Sequence, residues 1–425
     1  MSDPGTTQPQ AATDISVDPQ APFGYRRSES LQEQFDRAAA ALLANDGWSG
    51  NGTPELVADL ALEGGGVKGI GLVGAVSVLA EAGYRVARVA GTSAGAIAAA
   101  LIAALSKDGG PERVRALQGY LNDLTFTEFM QPKGKVHEFL DHHFGNAGEK
   151  LADAAVLTHR MGVYDGNFLA TWLKPILGQH GVRTFADLRI TPAEDPGMSL
   201  PENRRYRLVV HTSDITRGQL VHLPWDYAAY GVSADTQDVV EAVRASMSIP
   251  FFFEPVTFTA LPADVEVPDP AGGTVRVHHE GGTVTWVDGG MLRNFPINAF
   301  DREDGAAPRW PTIGVKLSAL QTQYPTTKAA ASTFAEARGC LHTMMNEWDA
   351  TSVDAATAGR TIFVDNGGIG TTDFDLTRDQ RNMLFLNGVH AATTFVIEMG
   401  TRGHVPRSES EARQLMRERG DGTTG

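Results

Sequence analysis

Residues 86–107 read VARVAGTSAGAIAAALIAALSK. The opening VARVA predicts a short apolar strand, and the Ala-rich remainder predicts a helix. Between them, Gly91-Thr92-Ser93-Ala94-Gly95 is a G-x-S-x-G pattern at a strand-to-helix junction, the context that gives the pattern chemical meaning. Small residues at Gly91, Ala94 and Gly95 let the backbone turn sharply. The turn holds the Ser93 hydroxyl clear of its own chain at the head of a helix, where backbone N–H groups favour negative charge. Alone, the pattern more often marks ordinary helix-capping chemistry, so its surroundings must decide. A membrane span over 86–105 is a poor reading, because the run contains Arg88, Thr92 and Ser93 and is otherwise largely Ala and Gly.

Upstream, LVADLAL at 56–62 predicts a buried strand that ends in Glu63-Gly64-Gly65-Gly66-Val67-Lys68-Gly69. Residues 70–82 follow with helical spacing, and Gly83 is a suitable stop. The order strand, loop, helix, strand, turn, helix with short connections implies a right-handed crossover and a mainly parallel sheet. The loop also matches G-x-G-x-x-G, so a dinucleotide site has to be weighed. That site wants an acidic residue about 20 positions on, at the end of the next strand. Here the next strand is flanked by Arg85, contains Arg88, and ends in the Ser93 turn. A Walker loop is excluded because Lys68 is followed by Gly69 rather than Ser or Thr. The alternatives are tight helix–sheet packing and an oxyanion hole. In the second, amides at Gly64, Gly65 and Gly66 would stabilise a developing alkoxide, one such donor being worth about 3 kcal/mol. Lys68 would add positive charge nearby.

A nucleophilic serine needs a base. The late histidines are His342 and His390, which fall in predicted helices, and His404 in the tail. None stands at a strand end. Asp288 does: VTWV at 284–287 predicts a strand, and Asp288-Gly289-Gly290 is the turn that ends it. A carboxylate with water partly excluded has a raised proton affinity, so it can take a proton from Ser93 without an imidazole. A lone Asp-Gly-Gly is usually a plain turn; the two earlier motifs in order favour the chemical reading.

With those three blocks in hand, the sequence resembles the patatin-like phospholipase family of bacterial type. Two softer stretches, AVRASMSIPFFFEPV at 242–256 and VDGGMLRNFPI at 287–297, fit the same resemblance. It implies a patatin-like α/β fold: a three-layer sandwich around a mainly parallel central sheet, here with a helical insertion. It also implies calcium-independent hydrolysis of lipid acyl esters with no cofactor and no metal. Carried onto this chain, Ser93 is the nucleophile, Asp288 the base, and the amides of Gly64, Gly65 and Gly66 the oxyanion hole. Lys68, Gly69, Gly91, Gly95, Gly289 and Gly290 complete the motifs. Glu63 stands where the family usually has Asp, and Lys68 where it usually has Arg; Lys cannot make Arg's two-pronged hydrogen bonds.

The 425-residue chain carries a formal charge of −15, which disfavours a nucleic-acid partner. Its single cysteine, Cys340, excludes an internal disulfide and a Cys-rich metal site. Residues 1–27 are polar, acidic and Pro-containing, without a secretory signal, and are expected to lack order. Residues 28–400 are expected to form the hydrolase domain, with its core at 56–317, and 401–425 a charged, loosely attached tail. Within the domain, 108–200 reads as a helical insertion near the site, 255–290 as antiparallel strands, and 311–317 and 361–364 as further strands. Helices are expected near 327–357 and 377–399. Apolar candidates for chain binding or transient membrane-surface contact are 249–253, 126–130 and 161–172, with Lys133, Lys135 and His137 as candidate head-group contacts. The expected location is cytoplasmic, or peripheral at membranes. The expected substrate is a phospholipid or lysophospholipid acyl ester. The alternatives are a soluble carboxylesterase or thioesterase, an acyltransferase, and a non-catalytic lipid-binding protein.

Overall fold

Every residue of the strand Leu56–Leu62 is buried, as a largely apolar run covered on both faces requires, and the one charged member, Asp59, is buried with the rest. The computed structural model describes residues 14–18, 23–50, 52–107, 109–122, 124, 128, 167–195, 197–250, 252–269, 272–302, 308–317, 343–344, 355–371, 373–407 and 411. Its strands are β1 (Ile15–Val17), β2 (Tyr25–Arg27), β3 (Leu56–Leu62), β4 (Tyr84–Thr92), β5 (Leu208–Asp214), β6 (Gln219–Leu223), β7 (Val256–Ala260), β8 (Ala263–Pro268), β9 (Thr274–His279), β10 (Gly282–Asp288), β11 (Thr312–Lys316) and β12 (Thr361–Phe363). The longer helices are α1 (Glu29–Asp46), α2 (Ile70–Glu81), α3 (Ala94–Lys107), α4 (Asn167–Gln179), α5 (Val239–Ser246) and α6 (Arg378–Arg402).

The central sheet runs β12-β11-β3-β4-β5-β10-β7, with β6 folded back on β5. The first five strands are parallel; β10 is antiparallel to β5, and β7 to β10. This is the mixed α/β architecture with a mostly parallel sheet that the short alternating elements imply. The two faces of β3 differ. Leu56, Ala58, Leu60 and Leu62 join the main core with α2, α3 and α6. That core is so enclosed that α2 is buried at every position from Ile70 to Ala80, which erases the amphipathic stripe of a surface helix. On the other face, Ala61 meets Phe295 and Ile297, and Val57 meets Ala87 and Trp310. There, Asp59 and Arg88 form a buried ion pair under the Phe300 ring. Among the described residues this outer layer is made of short turns rather than long helices.

Two terminal expectations change. Inside the stretch expected to lack order, β1 and β2 pair antiparallel. Ile15 and Phe23 are buried, and Phe23 packs on Phe385 of α6 with ring centroids 5.3 Å apart. Arg27 pairs with Glu81 at 2.9 Å. Two buried hydrophobic side chains thus outweigh a polar average. After α6, the described start of the expected tail, as far as Arg407, is held: Val405 is fully buried, and Arg407 pairs with Asp46 of α1. Most of the expected insertion, 129–166, and most of the expected helix at 327–357 lie outside the described residues.

Candidate active site

The elbow between β4 and α3 is as tight as its small residues suggest. Ser93 has φ +53°, the left-handed region that a β-carbon disfavours, so the turn stores strain of about 1–3 kcal/mol. Glycine at 95 is a steric necessity: a Cβ there would lie 2.3 Å from the Leu62 carbonyl oxygen. The first turn of α3 therefore presses directly on the end of β3. Ser93 is buried but lines an apolar pocket shared with Ile97, Leu101, Trp172, Ile249 and Phe253. Of the apolar stretches singled out in the sequence, 249–253 and 161–172 thus contribute through Ile249, Phe253 and Trp172. Of 126–130 only Glu128 is described, and Lys133, Lys135 and His137 lie outside the described residues.

Asp288 arrives from the far side of β5. It closes β10, where it stands opposite Thr212. Its carboxyl is fully buried; Oδ1 accepts the Gly290 N–H at 2.7 Å, and Oδ2 has no hydrogen-bond partner among the described residues. Burial pushes the carboxyl up to about 7, opposed by the adjacent Ser93 hydroxyl and the Gly290 amide. Ser93 and Asp288 are therefore brought together, with the hydroxyl beside the carboxyl but short of a formed hydrogen bond. No described histidine takes this place. His390 is exposed, His404 pairs with Glu411 at 3.3 Å, and His211 offers the elbow only its carbonyl.

In the glycine loop the three amides are not equivalent. The Gly64 N–H donates to the Asn294 carbonyl at 3.1 Å, and the Asn294 side-chain amide donates to the Gly64 carbonyl at 3.1 Å. Gly64 is thereby committed to the segment after Asp288 and is no longer an open donor. The amides of Gly65 and Gly66 donate to no described residue. Gly66 has φ +54° and lines the pocket, so its backbone conformation calls for glycine. Glu63 anchors the loop: its carboxylate takes both the Lys316 ammonium and the Leu317 amide at the end of β11. Burial lowers the proton affinity of Lys68, with Glu63 opposing. Gly69 meets Ala94 across the α2–α3 contact, Gly91 lies against the Gly95 carbonyl, and Gly289 against the His211 carbonyl. Gly290 supplies the amide already described.

One residue that sequence reasoning missed ties these parts together. The Ser246 hydroxyl accepts the Ser93 N–H at 2.9 Å and donates to the His211 carbonyl at 2.6 Å. The Ser246 carbonyl accepts the Gly289 N–H at 3.3 Å, and the Ser248 carbonyl the Asp288 N–H at 2.9 Å. The end of α5 is thus a clamp on both the elbow and the Asp288 turn. A serine in the last turn of a helix carries no pattern that announces this.

The loop, the elbow and the Asp288 turn all fall within residues 60–301, the region matched by the patatin-like phospholipase family model. The chain belongs to the patatin-like phospholipase family. Members of this family are lipid acyl hydrolases. The chain is 32% identical to YqhO of Bacillus subtilis (strain 168) over 338 residues, covering 80% of this chain and 97% of that protein. Solved structures that the chain matches include VipD of Legionella pneumophila, at 15% identity and TM-score 0.39, covering 80% of this chain and 66% of VipD. Another is the type III effector ExoU, at 16% identity and TM-score 0.35, covering 81% of this chain and 54% of ExoU. The chain therefore spans about two thirds of VipD and about half of ExoU. No helix among the described residues is long and apolar enough to cross a membrane.

The clamp makes a prediction. Ser246→Ala strands the buried Ser93 amide and His211 carbonyl, each costing about 1–3 kcal/mol. Chemical unfolding should show a loss of about 2–6 kcal/mol, and kcat for a soluble ester should fall about 10- to 100-fold with KM little changed. Ser246→Thr, which keeps the hydroxyl, should recover part of both. An alanine variant with wild-type kcat would show that the clamp does not position Ser93 or Asp288 for any reaction.

Proposed function

We propose that this protein is a serine lipid acyl hydrolase that cleaves fatty-acyl esters of phospholipids or lysophospholipids through a Ser93–Asp288 dyad. The observation that carries the proposal is the meeting of a strained serine, which lines an apolar pocket, and a buried, proton-hungry carboxyl. Ser93 Oγ attacks the ester carbonyl while Asp288 Oδ2 accepts its proton. The oxyanion forms against the open amides of Gly65 and Gly66. The alcohol leaves with the proton returned by Asp288. Water, deprotonated by the same carboxylate, then opens the acyl-enzyme and releases the fatty acid. Neither step calls on a cofactor. The acidic surface and the absence of basic residues from the described pocket lining leave head-group choice to other parts of the chain.

A second reading, a soluble carboxylesterase, is favoured by one observation: the space within the pocket that water centres could occupy is only about 80 Å³. A fluorophosphonate probe tests the serine chemistry common to both, because it labels only an activated serine. Peptide mapping should place the adduct on Ser93, and Ser93→Ala should abolish it. A folded wild-type protein that resists the probe would remove the hydrolase reading and leave a lipid-binding protein. Comparing phospholipid vesicles with soluble esters then separates the two substrate classes.

A further inference from the structure

The pocket beside Ser93 has a floor. Ser93, Ile97 and Leu101 are spaced four apart and so form one stripe along α3, and all three line the pocket. Gly69 and Val73 supply the facing stripe at the start of α2. The next member of the α3 stripe, Leu105, is buried in the main core and takes no part in the lining. Among the described residues the lining stripe on α3 therefore ends one turn earlier, at Leu101, and Leu117 and Leu124 also line the pocket. Among the described lining residues Ser93 is the one hydroxyl, and none is charged.

A length and a volume bound the chain that the pocket can hold. Eight residues of helix rise about 12 Å, and a helical side chain leans back toward its N-terminus. About 10 Å thus separates the Ser93 hydroxyl from the Leu101 tip, the reach of an extended acyl chain of about eight carbons. A volume of about 80 Å³ for water centres holds about six waters at 10–15 Å³ each, the bulk of about as many methylenes. The two agree within a few carbons.

We propose that this pocket limits the acyl chain to about eight carbons and that Leu101 sets the limit; the inference rests on the hydrolase reading above. The ester is medium-chain, and carbons beyond the limit stay outside the pocket, where they add no burial. The test uses purified full-length protein and monomeric p-nitrophenyl esters from butyrate to palmitate. In the wild type, kcat/KM should rise about fourfold per added methylene up to octanoate and then stop rising. Leu101→Ala should move the maximum about three carbons longer, because leucine loses three carbons. Ala98→Leu, which fills the pocket from the same helix, should move it toward butyrate. The second variant guards against a folding defect in the first, and thermal unfolding checks both. A wild-type maximum at palmitate, or folded variants that both keep the octanoate maximum, would overturn the chain-length limit and leave the hydrolase reading intact. If no ester is cleaved and the fluorophosphonate fails to label, the hydrolase reading itself falls, and this limit with it.

Discussion

Ser93→Ala should lower kcat for ester hydrolysis by at least about 10⁴-fold, while the protein unfolds at nearly the same temperature. The size follows from what is lost. The variant keeps the pocket, the open amides and Asp288, and such remnants still exceed water catalysis by about 10³–10⁴; the missing part is the covalent route. The fold should hold because the hydroxyl supports nothing structural. The hydrogen bond that fixes the elbow comes from the Ser93 backbone N–H to Ser246, and alanine retains it. Alanine also keeps a β-carbon at φ +53°, so the strain is unchanged. Ser93→Gly supplies the contrast: equally inactive, but more stable by about 1 kcal/mol because the left-handed conformation costs glycine little. Steady-state rates and chemical unfolding on the same preparations check both statements. Residual activity within tenfold of wild type in the alanine variant would place the nucleophile elsewhere.

Much of this arrangement is legible in the sequence where one residue type does one job. The run from β3 through the glycine loop, α2, β4 and the elbow to α3 consists of buried apolar segments joined by glycines, and each junction declares itself. Asp288 is legible because two glycines follow it at a strand end. Relations between distant segments are not legible. Asn294 captures Gly64 from 230 residues away, so three equivalent glycines become one structural and two open amides. Ser246 reaches Ser93 across 153 residues from a helix end that could have held any small polar residue. The N-terminal ribbon escapes for the same reason: Phe23 finds Phe385 only once α6 is in place, and a local composition average cannot register a partner so far along the chain. The Glu63 substitution within the glycine loop also becomes intelligible only in three dimensions, since its carboxylate reaches both the Lys316 ammonium and the Leu317 amide.

Asp288→Asn separates what this carboxyl does for chemistry from what it does to stability, and the two should move in opposite directions. With its carboxyl pushed up to about 7, Asp288 is a competent base only above that pH. Wild-type kcat/KM should fall tenfold per unit as the pH drops below about 7. The asparagine variant should lose about 10³- to 10⁴-fold at pH 8 and show no such limb. For stability the order of titration matters. The unfolded chain releases this proton near pH 3.9, whereas the folded protein keeps it until about 7. The protonated form therefore favours folding fully below pH 3.9, and that benefit is lost as pH rises through the folded value. The whole swing is about 4 kcal/mol at most and reflects the cost of ionising a carboxyl with no water around it. Asparagine keeps an oxygen for the Gly290 N–H and never ionises. The variant should thus match wild type near pH 4 and exceed it by a few kcal/mol at pH 8, measured as the difference between paired denaturant curves so that all other carboxylates cancel. A difference that stays constant from pH 4 to 8 would mean the carboxyl is not held near 7, and a wild-type rate that is flat across the same range would remove Asp288 as the base.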